Sequence, residues 1–181
     1  NCTVNKYKNI NYPSVAQYFA DQSNGTYRPQ FDIFGPVTLS KNCAYYGGNG
    51  ADGNDKYAAD AVVEACKLAN EQYPQLNFAD YDTDKDGYVD WVYVIYAGKG
   101  AADGGDANTI WPHNWDIYSA SYYGNCTYPK AEWKVDGKTL NTYAMSAELE
   151  GAGTLGGIGT LCHEFSHVMG LPDLYDTDYG T

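Results

Sequence analysis

Positive charge is scarce in this 181-residue chain, where 11 Lys and Arg stand against 23 Asp and Glu for a formal net charge of −12. Such a field repels phosphate backbones and anionic lipid, which argues against a nucleic-acid partner and leaves carboxylates free to hold a cation. No apolar run approaches the length of a membrane span. Closely spaced cysteines are also missing. Cys2, Cys43, Cys66, Cys126 and Cys162 lie far apart with no CxxC pair, so neither a cysteine-rich zinc site nor a thioredoxin-like redox motif is supported. At least one cysteine is unpaired within the chain, and Cys66 and Cys162 fall in helical patterns where a buried free thiol is expected. Histidine is rarer still, at three residues.

The chain does have bulk and aromaticity. Its length fits one domain, spanning 1–181, and suffices for a sizeable core. Nineteen Tyr with few Lys and Glu suit a folded extracellular-type surface better than a coiled coil. Asn1 follows neither an initiator Met nor a signal-peptide apolar region and reads as a processed or imposed end. At the other end the chain stops on "LYDTDYGT", just after its strongest motif, so we expect a larger domain truncated at its C-terminus.

Local patterning predicts the elements. Ser14 caps a short amphipathic helix over about 14–22, with Gly25 beyond its end. "YRPQFDIFGPVTL" alternates and predicts a strand broken near Gly35–Pro36, and "YYGGNGADGND" predicts a loop. Ala58, Ala61, Val62, Ala65, Cys66, Leu68 and Ala69 recur at helical spacing, giving a helix from about Asp55 to Gln72 that Pro74 ends. "DWVYVIYAG" is the most apolar run and the expected central strand. "TIWPHNWDIYSASYYG" reads as partly extended, with Pro112 favouring an edge. Asp136-Gly137, between two extended stretches, signals a hairpin.

The segment "HEFSHVMGLPD", residues 163–173, carries the chemistry. Residues four apart on a helix differ by about 40°, so His163 and His167 share a face and can reach one ion. Glu164 lies about 100° from His163, where its carboxylate can take a proton from an attacking water rather than bind the metal. Leu161, Phe165, Val168 and Met169 give the opposite face apolar bulk, and Gly170 lets the chain turn so that Asp173 returns as a third ligand. Cys162 is rotated away and is not expected to bind. A chance HExxH is expected in roughly a few per thousand chains of this length, and Gly170 and Asp173 lower that further.

With its HExxHxxGxxD form, the motif resembles the immune inhibitor A family of secreted zinc metallopeptidases. "SVAQYFADQSNGTYRPQFDIFGPVTL", "DTDKDGYVDWVYVIYAGKG", "IWPHNW" and "HEFSHVMGLPDLYDTDYG" resemble blocks of that family's catalytic domain in the same order. The resemblance implies an α/β (α+β) zincin-like upper subdomain, built of a twisted mixed sheet of about five strands, a backing helix and an active-site helix. A C-terminal subdomain with a methionine turn would lie beyond Asp173. It further implies catalytic zinc on His163, His167 and Asp173, with Glu164 as general base and acid, acting on protein or peptide substrates. Secretion or a cell-surface or periplasmic site, a propeptide and further C-terminal domains are implied as well.

A second cation site is expected in "DTDKDGYVD". Asp82, Asp84 and Asp86 alternate, Gly87 permits a sharp turn, and the Tyr88 carbonyl and Asp90 follow at calcium-loop positions, although Tyr93 stands where a bidentate Glu would close an EF-hand. A structural calcium relieves four carboxylates within nine residues. A lone histidine among aromatics is more often a packed residue, so His113, together with Tyr143, is the weaker candidate for contacting substrate. Asp176 and Asp178 read as solvated, and sequons at Asn1, Asn24 and Asn125 matter only in a glycosylating host. An exposed edge strand within 139–148 or 109–118 is expected to take an extended peptide by strand addition. The competing readings are a non-catalytic, calcium-stabilised binding or adhesion module, and a zinc hydrolase acting on something other than peptides.

Overall fold

The computed structural model describes residues 14–50 and 53–173. Helix α1, Val15–Gln22, begins where the Ser14 hydroxyl accepts the Gln17 N–H at 3.1 Å. Of its buried residues, Val15 and Phe19 turn toward the second of two cores. The following stretch, expected as a strand, pairs with no strand among the described residues. Pro29 and Pro36 offer no N–H to a ladder. Phe31, Phe34 and Val37 instead bury their side chains at three-residue spacing against both cores. The expected loop also begins later than its sequence suggests. Helix α2, Cys43–Gly47, is capped by Asn42, whose Oδ1 accepts the Tyr45 N–H at 3.0 Å. Gly47 is required there, because a Cβ would lie 2.4 Å from the Ile110 nitrogen.

Helix α3, Ala58–Gln72, starts three residues later than the periodicity suggests and ends before Pro74 as expected. Ala58, Ala61, Val62, Cys66 and Ala69 are buried, a stripe of small residues that lets the helix sit close to the sheet. Asp60 is buried on the same helix and satisfied, accepting the Thr127 N–H and hydroxyl at 2.7 and 2.6 Å.

The main sheet contains β1 (Val92–Lys99), β2 (His113–Asp116), β5 (Thr142–Glu150) and β6 (Thr154–Leu155). A separate hairpin joins β3 (Lys134–Val135) to β4 (Lys138–Thr139). Asp136 and Gly137 have φ of 49° and 78°, the left-handed pair that a two-residue hairpin turn demands. The strand order is β1-β5-β2, with β6 also on β5. Strand β5 runs parallel to β1 and antiparallel to β2. The centre is therefore β5 and not the more apolar β1, and the expectation of a free edge within 139–148 is wrong. Neighbours more than 25 residues away set that position, and Tyr143, Ala144 and Met145 are wholly buried as a result. Among the described residues the other expected edge is borne out by β2, where Pro112 precedes the strand. Beyond Asp116, however, the extended reading fails. The Asp116 carboxylate accepts the Ser119 N–H at 2.7 Å and opens helix α4, Ile117–Tyr122.

The sheet is thus mixed, with four described strands rather than five and helices on both faces. Tyr143 and Met145 join Val92, Val94 and Tyr96 in the core shared with α3. Trp91 and Phe31 belong to the other core, beneath the last helix, α5 (Gly159–Val168), with α1 beside it. Cys66 and Cys162 are buried free thiols as expected; Cys43 and Cys126 are free too, while Cys2, Asn1, Asp176 and Asp178 lie outside the described residues.

Candidate metal centre

Helix α5 packs on β5 and β2, and one of its rings anchors it to an aromatic cluster outside those strands. Phe165 is 7% exposed. Its centroid lies 4.6 Å from that of Trp91, 5.2 Å from Phe19 and 5.5 Å from Phe31, the last two edge-on. Leu161 and Val168 pack partly against the same cluster. Met169 was expected on this face but is 40% exposed, since it already leaves the helix as its C-cap. Cys162 is buried in the apolar cluster, so it lies on the packed side, as its helical phase demands.

The helix ends through Gly170, at φ 86°. Its N–H bonds the His167 carbonyl at 2.8 Å, and the Leu171 N–H bonds that of Ser166 at 3.0 Å, the αL ending that returns the chain across the last turn. Two consequences follow for the site. The Leu171 carbonyl comes 2.8 Å from His167 Nδ1, so the proton belongs on Nδ1 and the Nε2 lone pair faces outward. Asp173 is carried over the histidines: its Oδ1 lies 3.4 Å from His163 Nε2 and 3.2 Å from His167 Nε2, and the two nitrogens are 3.2 Å apart.

These distances are a test of fit. Zinc–ligand bonds of about 2.0–2.1 Å at tetrahedral angles put neighbouring ligand atoms about 3.3–3.4 Å apart. The Asp173 Oδ1 is also buried without a hydrogen-bond partner, a costly state for a carboxylate oxygen unless a cation meets it. Two imidazole nitrogens and one carboxylate oxygen suit zinc, with a fourth position left over. Glu164 stands beside this triad, 7% exposed. Burial raises its pKa, the two histidines oppose that rise, and the Asp173 charge adds to it.

In the acidic loop, carboxylate oxygens of Asp82, Asp84 and Asp90 lie within 4.8 Å of one another. Asp86 lies outside that group and caps the turn, accepting the Tyr88 N–H at 2.8 Å. Asp82 accepts the Asp86 and Gly87 amides and meets the Lys138 ammonium at 2.6 Å. That lysine, 56 residues away on β4, holds the Asp82 carboxyl below its usual range. Nothing local in the sequence announces it. Asp90 turns back to Thr83, accepting its hydroxyl at 2.6 Å.

His113 and Tyr143 meet: the ring Nε2 is 3.1 Å from the tyrosine hydroxyl, while Nδ1 is 2.6 Å from the Trp111 carbonyl. Tyr143 is fully buried. Both line a cavity of about 690 Å³ together with Asp55, which sequence reading placed only at a helix start.

Comparison with known proteins supplies the family. The family model described as the immune inhibitor A peptidase M6 catalytic domain matches residues 2–181. Immune inhibitor A of Bacillus thuringiensis subsp. alesti is 30% identical over 181 residues, covering 90% of this chain and 26% of that protein. The pre-pro-metalloprotease PrtV of Vibrio cholerae serotype O1 is 30% identical over 187 residues, covering 93% of this chain and 20% of that protein. The chain therefore spans about a quarter or less of the length of these relatives.

Proposed function

Since the chain belongs to the immune inhibitor A family of M6 peptidases, matching its catalytic domain, we propose that it is the catalytic part of a secreted zinc endopeptidase. The observation that carries the reading is the convergence of His163 Nε2, His167 Nε2 and Asp173 Oδ1 at 3.2–3.4 Å. These three residues would hold the zinc, which when bound would supply the acidity that makes a water nucleophilic and the charge that polarises a peptide carbonyl.

The remaining work falls to the chain's own groups. Glu164 takes the proton of the attacking water on its carboxylate and returns it to the leaving amine. Burial and the Asp173 charge act to raise its pKa against the two histidines, so the carboxyl holds a captured proton more readily than an exposed one would. The Leu171 carbonyl fixes the His167 tautomer. Strand β2 takes an extended substrate at its outer edge, which pairs with no other strand among the described residues. It lies beside α5, so a peptide bound there passes the triad.

The loop of Asp82, Asp84 and Asp90 holds a structural calcium, with Asp86 shaping the turn and the Tyr88 carbonyl as a further ligand. In this role the ion ties the loop to the entry of β1. Secretion and a propeptide are proposed from the family and from the relative that is named a pre-pro-metalloprotease. No helix among the described residues is long and apolar enough to cross a membrane.

Replacing Glu164 by Ala in the full-length protein tests the assignment. Zinc should stay near one per chain while hydrolysis of a protein substrate falls at least about 100-fold. Undiminished hydrolysis would remove Glu164 from its role. Zinc retention with no chelator-sensitive proteolysis in the unaltered protein would favour a non-catalytic binding module instead.

A further inference from the structure

The cavity beneath β2 lies on the face of the sheet occupied by α3, where Tyr143 points, and not on the face of the catalytic helix. Its volume of about 690 Å³ exceeds one side chain and suits a side chain with its flanking peptide. Trp111, 58% exposed, and Trp115 provide aromatic wall, and Asn49 and Asn125 provide amides.

Asp55 is the anomalous member. Its side chain is 8% exposed, and one oxygen accepts the Trp111 N–H at 2.8 Å. The other oxygen makes no hydrogen bond among the described residues, and no lysine or arginine among them bridges the carboxylate. His113 Nδ1 is 3.9 Å away but does not supply the charge. Both its nitrogens are already engaged, and burial lowers its pKa, favouring the neutral ring. Burial also pushes the Asp55 carboxyl up to about 6. A carboxylate confined in this way, in an open cavity with indole walls, has a deficit that a cation fills. A neutral sugar would use the tryptophans and amides but leave the charge unpaired.

We infer that this cavity is a subsite for the cationic side chain of an arginine or lysine in a bound polypeptide, with Asp55 as its counter-ion and Trp111 as its outer wall. The inference rests on the proposed peptidase reading for the route by which the polypeptide arrives. A segment added at the outer edge of β2 sends alternate side chains to the α3 face, where His113 and Trp115 flank the cavity mouth. Every second residue of the segment is thereby sampled for positive charge.

The test compares two pentapeptides in the zinc-loaded full-length protein carrying Glu164→Ala, so that binding is read without turnover. The first has a central arginine flanked by glycines, and the second has citrulline, the same shape without charge. The arginine peptide should bind about tenfold or more tightly, as a charge-assisted hydrogen bond implies. Asp55→Asn should abolish that difference while retaining the acceptor for the Trp111 amide, and Trp111→Ala should weaken both peptides. Equal affinity for the two peptides, a preference that survives Asp55→Asn, or tighter binding of a neutral oligosaccharide would overturn the proposal. Cleavage of a peptide library by the unaltered protein separates the two readings. Cleavage with no basic preference at any position sinks the subsite and leaves the peptidase standing. Arginine-selective binding with no cleavage of any peptide supports the subsite and removes the peptidase.

Discussion

Phe165→Ala puts the positioning of helix α5 to a quantitative test. The ring is 7% exposed and meets Trp91, Phe19 and Phe31 at 4.6–5.5 Å. Truncating a buried phenylalanine costs about 3–5 kcal/mol, and each edge-on aromatic pair adds roughly 0.5–1.5 kcal/mol within that total. The cluster can relax partly, since Phe31 is only half-buried and Tyr27 on its rim is 40% exposed. We therefore expect a loss of about 3 kcal/mol, against a domain stability of about 5–15 kcal/mol. Phe165→Leu should cost about 1–2 kcal/mol, because most of the volume remains. Urea unfolding of the metal-free protein gives both numbers. Zinc titration gives the functional consequence, because a helix that loosens from the Trp91, Phe19 and Phe31 cluster spends less time with His163 and His167 aligned, and affinity should weaken by about tenfold. A loss below about 1 kcal/mol for the alanine variant would show that the aromatic cluster does not hold α5 in place, and the account of how the site is positioned would fail.

Three further outcomes are expected. Asp173→Ala should weaken zinc about 100-fold or more in a chelator competition, since two imidazoles remain; unchanged affinity would assign the third ligand elsewhere. With Lys138→Met, Asp82 loses its ammonium, so the melting temperature should fall below wild type in a calcium chelator and recover in millimolar calcium; no calcium response in either protein would return the loop to a solvated turn. For Asp55 the folded pKa of about 6 lies above the ordinary value of 3.8, so the folded state holds its proton more tightly. Stability from this group is full below about pH 4 and is lost as pH rises through 6. The gap corresponds to about 3 kcal/mol at most, cut to roughly 1–2 by solvent in the open cavity. His113 faces the carboxylate and Tyr96 and Tyr143 feel its charge, and all three stay in Asp55→Asn. The wild-type-minus-variant difference between pH 4 and 7 therefore reads the carboxyl together with its coupling to His113, and a flat difference would refute the burial argument.

What one stretch of chain encodes could be read without its neighbours. The triad is of this kind: His163 and His167 are fixed by one helical turn, Gly170 by its left-handed ending, and Asp173 by the return that ending forces. The α1 cap at Ser14, the Asp136-Gly137 turn and the α3 stripe obey the same local rules of period and dihedral. Tertiary structure decided what depends on partners distant in sequence. It put the modestly apolar β5 at the centre and the apolar β1 beside it, left residues 27–39 unpaired with any described strand despite their alternation, set Lys138 on Asp82, and shaped an open cavity around Asp55. A strand's place in a sheet and a charge's counter-ion are properties of pairs, and no short-range pattern records which distant residue completes them.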